Sequence, residues 1–143
     1  MRIVFVGVGA LGSYFGGALA AARHDITLVI RNEAHRSAIL ANGLRLVLDS
    51  GEPLVHPRVV APDDVGSEAP ADILVIFCKT GATRDVLKAS SPLIGPETRL
   101  VSAQNGLGND TVLGEFVPRD RVIYGTTMAP GDLRSPGIVE SHG

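Results

Sequence analysis

Three glycines at the end of the first apolar run restrict the fold more than any other feature of the sequence. Residues 2–6 (RIVFV) are β-branched and apolar, as in a fully buried strand. Residues 10–22 have the small residues and the apolar spacing of a closely packed helix. Between them, Gly7, Gly9 and Gly12 form the pattern G-x-G-x-x-G. This pattern between a strand and a helix is the phosphate-binding fingerprint of dinucleotide-binding domains.

Each of the three glycines has its own expected role. Gly7 allows a tight turn, Gly9 lets a pyrophosphate approach the backbone, and Gly12 lets the helix lie close to the strand. Gly16 and Gly17 are expected to extend this close packing along the helix. The helix N-terminus offers free N–H groups and partial positive charge to the phosphates. The cofactor-binding residues expected at this turn are Gly7, Val8, Gly9, Ala10, Leu11 and Gly12. The alternative is a glycine-rich turn that binds no ligand.

Strand-like and helix-like segments alternate along the rest of the chain. Strands are predicted at 25–30, 44–48, 54–61, 72–77, 98–102 and 121–124, and helices at 33–42, 82–91 and 109–117. Prolines between and beside residues 44–48 and 54–61 indicate edge strands in both segments, and IVES near the end is a further strand candidate. This order predicts an α/β fold with a doubly wound, mostly parallel, Rossmann-like sheet in a single domain, residues 1–143.

The composition argues against several classes of function. The net charge is −2, tryptophan is absent and no basic run interleaves with aromatic residues, so we expect no nucleic-acid partner. No stretch approaches the ~18 apolar residues of a membrane span, so we expect no membrane partner. Cys78 is the one cysteine, which fits a cytoplasmic location. The four histidines have no metal-ligand spacing, and we expect no metal.

Arg31 predicts which dinucleotide is bound. It follows the second predicted strand, where NAD-binding domains carry an Asp or Glu for the ribose 2′-hydroxyl. A carboxylate there repels a 2′-phosphate, whereas a guanidinium pairs with it through charge-assisted hydrogen bonds. The cofactor expected is therefore NADP (NADPH). A solvated loop arginine is the alternative, and Glu33 works against the preference.

Two later strands are each followed by a polar residue suited to a ligand. Lys79 follows the strand at 72–77 and Asn105 follows the strand at 98–102, and ligands of open α/β sheets gather at such carboxyl ends. Lys79 is suited to a phosphate or a polarised carbonyl, and Asn105 to a carboxamide or a hydroxyl. The alternatives are an exposed lysine and an ordinary Asn-Gly turn, and Cys78 is interpreted as a small buried apolar residue.

Four segments occur in order along the chain: GVGALGSYFGGALA, ITLVIRN, VIFCKT and AQNGLGN. In this order they resemble the N-terminal domain of the ketopantoate reductase (2-dehydropantoate 2-reductase) family, and the resemblance extends to GIVESHG. It implies reduction of 2-dehydropantoate to pantoate with NADPH, on the route to pantothenate and coenzyme A. It also implies that Lys79 and Asn105 line the nicotinamide end, with Asn105 near the substrate, and that the segment Thr127–Ala129 contacts the cofactor through Ala129.

The sequence departs from the family in three respects. Arg23 stands where the family usually has a glycine, and Gly81 and Ala82 stand where it tends to carry an aromatic residue and a Gln. The family's catalytic lysine lies in a C-terminal helical domain outside this sequence, so we expect NADPH binding with little or no turnover by this chain alone. The partners implied are a small keto-acid substrate, that C-terminal domain and, as one option, a second copy in a homodimer.

Two other functions remain compatible with the same residues. A regulatory nucleotide-binding module, such as the gating domain of a channel or transporter, uses G-x-G-x-x-G without chemistry. Such modules commonly keep an acidic residue after the second strand, so Arg31 argues against them. The other is a related NADP-dependent hydroxy-acid dehydrogenase, which the Q-N-G segment disfavours without excluding it. The fold alone does not decide between these functions.

Overall fold

The computed structural model describes residues 1–142; Gly143, the end of the predicted domain, lies outside them. The strands are β1 (Arg2–Val6), β2 (Asp25–Val29), β3 (Leu44–Leu48), β4 (Leu54–Val55), β5 (Arg58–Val60), β6 (Ala71–Ile76), β7 (Ile94–Ser102), β8 (Val122–Tyr124), β9 (Asp132–Ser135) and β10 (Ile138–Ser141). The α-helices are α1 (Ala10–Ala21), α2 (Glu33–Asn42), α3 (Thr83–Ala89) and α4 (Asn109–Leu113). Short 3-10 helices lie at Pro62–Ser67, Thr80–Ala82, Ser91–Leu93 and Arg119–Arg121.

The main sheet has six parallel strands in the order β5-β2-β1-β6-β7-β8. The chain runs outward from β1 through β2 to β5, and then crosses to the other side of β1 to form β6. Apolar side chains cover both faces, in one cluster that includes Val4 and Leu100 and another that includes Phe5 and Leu28. This confirms the doubly wound, Rossmann-like prediction, and it places the topological switch point between β1 and β6.

A second sheet, which the sequence did not predict, packs against α1 on a different side of the helix from the main sheet. Its four strands have the order β4-β3-β10-β9, with β10 parallel to β3. The segment 54–61 is divided between the two sheets, since β4 forms an edge of the second sheet and β5 an edge of the main one. Both strands are edge strands, as the neighbouring prolines predict. The same prediction for residues 44–48 is wrong, because β3 pairs with β4 on one side and with β10 on the other.

Two adjacent glycines allow α1 to lie close to both sheets. An ideal Cβ on Gly16 would lie 2.6 Å from Cδ2 of Leu28 in the main sheet. An ideal Cβ on Gly17 would lie 2.6 Å from Cδ2 of Leu46 in the second sheet. The expected close packing at Gly16 and Gly17 is therefore confirmed, and each glycine serves a different sheet.

Three elements end or begin at least two residues away from their predicted limits. Helix α3 ends at Ala89, short of the predicted 91, because Pro92 has no N–H with which to continue the helical hydrogen bonds, and a 3-10 helix follows at Ser91–Leu93. Helix α4 ends at Leu113 rather than 117, where Gly114 weakens the helix. Strand β7 begins at Ile94 rather than 98, because Ile94 already pairs with Ala71 of β6.

Candidate functional site

The glycine turn lies at the switch point of the main sheet, where β1 and β6 end side by side. Gly7 has φ +73°, a left-handed conformation, which confirms the tight turn predicted for it. An ideal Cβ on Gly7 would lie 2.7 Å from both Cα and Cβ of Cys78, which follows β6. Any larger residue at position 7 would therefore force the two strand ends apart.

The other two glycines of the motif have different surroundings. An ideal Cβ on Gly9 has no heavy atom within 4 Å, so the space in front of this backbone is open. The atoms nearest to an ideal Cβ on Gly12 belong to the Val8 side chain, at 3.5 Å, which is an ordinary contact. The prediction that Gly12 brings the helix close to the strand is therefore wrong, because a side chain would fit at this position. The close approach occurs one turn later, at Gly16 and Gly17.

Helix α1 presents main-chain donors at this open space. Gly9 is the N-cap, no side chain accepts a hydrogen bond there, and the first turn holds no acidic residue. The turn is held internally, since Gly9 N–H donates to Gly7 O at 3.0 Å and Ser13 N–H to Gly9 O at 2.9 Å. Free N–H groups at a helix N-terminus favour a bound anion, so the hollow fits the phosphates of a dinucleotide.

Arg31 lies on the same edge of the sheet as the glycine turn. It follows β2, which pairs in parallel with β1 and places Val29 opposite Val6. Neighbouring strands are ~4.8 Å apart, so the β2–α2 loop and the glycine turn leave the sheet side by side. The Arg31 side chain is exposed and, within residues 1–142, has no hydrogen bond or ion pair, including none with Glu33.

Hydrogen bonds fix the backbone on both sides of Arg31. Asn32 caps α2, because its Oδ1 accepts a hydrogen bond from His35 N–H at 2.9 Å. Nη1 of Arg36 donates to Ile30 O at 2.9 Å. The loop is therefore held by its neighbours while the Arg31 guanidinium remains available to a ligand.

Buried Gln104 joins the loops that follow β6 and β7. Its Nε2 donates to Cys78 O and, at 3.0 Å, to Oγ1 of Thr83, and its Oε1 accepts from Oγ of Ser102 at 2.8 Å. The sequence did not predict this role, because the adjacent Asn-Gly pair indicates an ordinary turn. The available signal was a long polar side chain two residues after the strand ends at Ser102.

Lys79 and Asn105 lie in these two joined loops. Both side chains are exposed, and Oγ1 of Thr80 donates to Asn105 O at 2.7 Å. Gly106 has φ +112°, so the Asn-Gly turn is confirmed as local structure. The structure therefore brings Lys79 and Asn105 to one edge of the sheet. Within the described part of the chain, the Lys79 side chain has no ion pair and the Asn105 side chain has no hydrogen bond.

Cys78 is part of the packing beneath these loops. It is half-buried and packs against the core, with Sγ 3.6 Å from Nε2 of Gln104. Burial raises the pKa of the Cys78 thiol, so it stays protonated at neutral pH. This agrees with its interpretation as a small apolar residue.

The loop after β8 returns to the N-terminal end of α1. Gly125 N–H donates to Ser102 O at 2.9 Å, and Ala129 N–H donates to Oγ1 of Thr127 at 3.1 Å. An ideal Cβ on Gly131 would lie 3.1 Å from Cδ2 of Leu11. The segment that contains half-buried Ala129 therefore ends in contact with the glycine turn.

Residues 1–142 contain neither a candidate metal site nor a membrane-spanning helix. No group of three or more His, Cys, Asp and Glu side chains there is arranged to hold a metal ion. No helix in the same residues has both the length and the apolar character needed to cross a bilayer.

Comparison with known sequences gives one consistent family. The family "Ketopantoate reductase PanE/ApbA" matches residues 3–143. The 2-dehydropantoate 2-reductase of Halobacterium salinarum is 36% identical over 146 residues, which cover 100% of this chain and 46% of that protein. The 2-dehydropantoate 2-reductase of Lactococcus lactis is 29% identical over 143 residues, with the same coverage. The chain thus spans about half the length of the curated relatives it matches.

Solved structures are similar over the whole chain. A 2-dehydropantoate 2-reductase from Geobacter metallireducens has a TM-score of 0.89 and 29% identity, covering 100% of this chain and 46% of that one. A ternary structure of D-mandelate dehydrogenase with NADH and anilino(oxo)acetate has a TM-score of 0.91 and 28% identity, with the same coverage.

Proposed function

Because the chain belongs to the ketopantoate reductase PanE/ApbA family, we propose that it is the NADP-binding half of an oxidoreductase that reduces 2-dehydropantoate to pantoate with NADPH, in pantothenate and coenzyme A biosynthesis. The observation that carries the proposal is the open backbone at Gly9, beside a helix N-terminus that no side chain caps. A phosphate that approaches this hollow would meet main-chain donors that no side chain caps in the described residues.

The residues divide along the length of the dinucleotide. Main-chain groups of the glycine turn would hold the pyrophosphate, and Arg31 would hold the 2′-phosphate. Lys79, Asn105 and Ala129 would lie toward the nicotinamide end. When bound, the dinucleotide supplies the hydride. The role of this chain would be to hold the pyrophosphate and the 2′-phosphate, with the nicotinamide end toward Lys79 and Asn105 in the loops after β6 and β7.

The chain's contribution to the chemistry is electrostatic. Lys79 is an exposed cation beside the switch point, suited to attract a keto-acid carboxylate or to polarise its ketone oxygen. Asn105 would orient the substrate or the carboxamide by hydrogen bonding. Hydride transfer to a ketone also requires a proton for the new hydroxyl. We propose that this proton comes from a further domain, since the relatives are about twice the length of this chain.

Reversing the charge at Arg31 tests the cofactor preference. We expect Arg31→Asp to weaken NADPH binding by roughly 1.5–3 kcal/mol, because a charged hydrogen bond is replaced by repulsion. This is a loss of about 12- to 160-fold in affinity, with NADH binding reduced far less. Titration calorimetry with both dinucleotides measures the difference.

The matched control is Arg23→Asp, which makes the same charge change at the other end of α1. Arg23 is exposed and has φ +66°, a conformation that Asp tolerates well. We expect its NADPH affinity to equal that of the unaltered chain. Equal NADPH affinity in the Arg31 and Arg23 variants would show that Arg31 does not bind the 2′-phosphate.

A related hydroxy-acid dehydrogenase is the second candidate. It is favoured by the TM-score of 0.91 to D-mandelate dehydrogenase, a structure that contains NADH. The full-length protein should be assayed with 2-dehydropantoate and with an aryl 2-oxo acid, each with NADPH and with NADH. Faster turnover of the aryl acid with NADH would favour this second function, and faster turnover of 2-dehydropantoate with NADPH would favour the reductase.

A further inference from the structure

One buried histidine lies between the two proposed phosphate-binding segments. His35 is in the first turn of α2 and is 1% exposed. Its Nε2 lies 2.9 Å from Oγ of Ser13, and its Nδ1 lies 2.9 Å from the main-chain N of Gly137. Both ring nitrogens are therefore used, although the sequence offers His35 as one polar residue among several in α2.

The partners of His35 determine where its proton lies. A main-chain N–H only donates, so Nδ1 must accept from Gly137 and must be unprotonated. The proton of the neutral ring is then on Nε2, which donates to Oγ of Ser13. Burial lowers the pKa of His35, which agrees with a neutral ring.

Ser13, His35 and Gly137 belong to three separate parts of the fold. Ser13 follows Gly12 in the first turn of α1, the turn whose N–H groups face the open hollow. His35 also donates its main-chain N–H to the Asn32 cap, directly after Arg31. Gly137, with φ +80°, lies in the β9–β10 turn of the second sheet. One ring thus connects the glycine turn, the Arg31 loop and the second sheet.

We infer that His35 is a positioning residue, which fixes the first turn of α1 relative to the Arg31 loop so that both ends of one dinucleotide are held at once. This rests on the proposed function, because it takes the two segments to bind the pyrophosphate and the 2′-phosphate. A ligand that spans two segments requires their spacing to be fixed, and hydrogen bonds behind the contact residues supply that rigidity. His35 itself is too deeply buried to touch the ligand.

The test compares NADPH affinity with stability in variants of the full chain. Ser13→Ala removes the hydroxyl that Nε2 contacts, and His35→Asn places an amide too short to reach it. His35→Gln keeps a donor near the position of Nε2. Thr98→Val is the matched control, since the buried Thr98 hydroxyl likewise makes two hydrogen bonds, to Gly95 N–H and Ala71 O, but lies in the middle of β7, away from the glycine turn.

We expect Ser13→Ala and His35→Asn to lower NADPH affinity by about 5-fold or more, which corresponds to the loss of one hydrogen bond. The double variant should be no weaker than either single one, because both remove the same interaction. His35→Gln should restore most of the affinity. Thr98→Val should lower the urea midpoint and leave NADPH affinity unchanged.

The outcomes separate the inference from the proposed function. If Ser13→Ala is as unstable as Thr98→Val but binds NADPH like the unaltered chain, His35 is only a packing residue and the inference is wrong. Ser13→Ala decides this even if the His35 variants fail to fold. If the unaltered chain itself does not bind NADPH, the proposed function fails, and the inference fails with it.

Discussion

Substituting Gly9 separates ligand binding from folding more cleanly than any other change in the motif. An ideal Cβ on Gly9 has no heavy atom within 4 Å, and its φ is −103° with ψ −144°, so the substitution meets no contact and requires no left-handed backbone. Gly9→Ala should therefore fold normally. The added methyl group occupies the space through which a pyrophosphate would reach the N-terminus of α1, so the cost should fall on the ligand.

The magnitudes follow from the same geometry. A Gly→Ala change at a compatible conformation alters stability by less than about 1 kcal/mol, mostly through the unfolded chain. A methyl group forced against a close contact costs about 1–3 kcal/mol, so NADPH affinity should fall about 5- to 150-fold. Gly7→Ala should behave in the opposite way. Its positive φ and its contact with Cys78 together cost about 2–5 kcal/mol of unfolding free energy.

Urea unfolding and calorimetric titration with NADPH measure the two effects on the same samples. Gly66→Ala is the matched control, because its ideal Cβ also meets nothing within 4 Å but it lies in the 3-10 helix Pro62–Ser67, away from the turn. A Gly9→Ala chain that folds and binds NADPH as tightly as Gly66→Ala would refute the reasoning, because the phosphates then bind elsewhere.

Three further predictions concern acid sensitivity, the joined loops and turnover. The pKa of His35 is lowered from 6.5 by burial, so the unfolded chain binds more protons just below pH 6.5. The contribution of His35 to stability is therefore complete above pH 6.5 and falls as the pH drops below it. Hydrogen bonds to Asp49 and Glu140 raise the pKa of His142, so its contribution to stability falls as the pH rises. To separate the two histidines, the free energy of urea unfolding is compared between the unaltered chain and His35→Gln at each pH. Gln104→Leu should cost about 1–3 kcal/mol in urea unfolding, because it leaves Cys78 O without its donor. The chain alone should bind NADPH without reducing 2-dehydropantoate, and rapid oxidation of NADPH at 340 nm would contradict this.

Local chemistry was sufficient to predict the elements that form the edge of the site. Strand β1 and helix α2 begin and end where the sequence indicates, because an apolar run ends at Gly7 and Gly43 ends the helix with φ +82°. The left-handed Gly7 and the open Gly9 follow from the spacing of the motif. The pairing of the strand ends follows from the topology of a parallel sheet.

Contacts between distant residues were not predictable in the same way. The second sheet depends on the pairing of β10 with β3, which no local pattern encodes. His35 reads as a surface residue within EAHRSAILAN, and the partner of its Nδ1, Gly137, is 102 positions further along the chain. The tight packing of α1 was assigned to Gly12 as well as to Gly16 and Gly17, because sequence alone does not show which side of a helix faces a second layer.

The central position of β10 in the second sheet has a consequence for biosynthesis. Helix α1 and strand β3 leave the ribosome early, but β3 has no partner on one side until residues 138–141 have been synthesised. Pairing across such a sequence separation slows folding and leaves apolar strand edges exposed in the meantime. The nascent chain should therefore complete the six-stranded sheet first. Helix α1 should be covered by the second sheet only when β10 inserts beside β3.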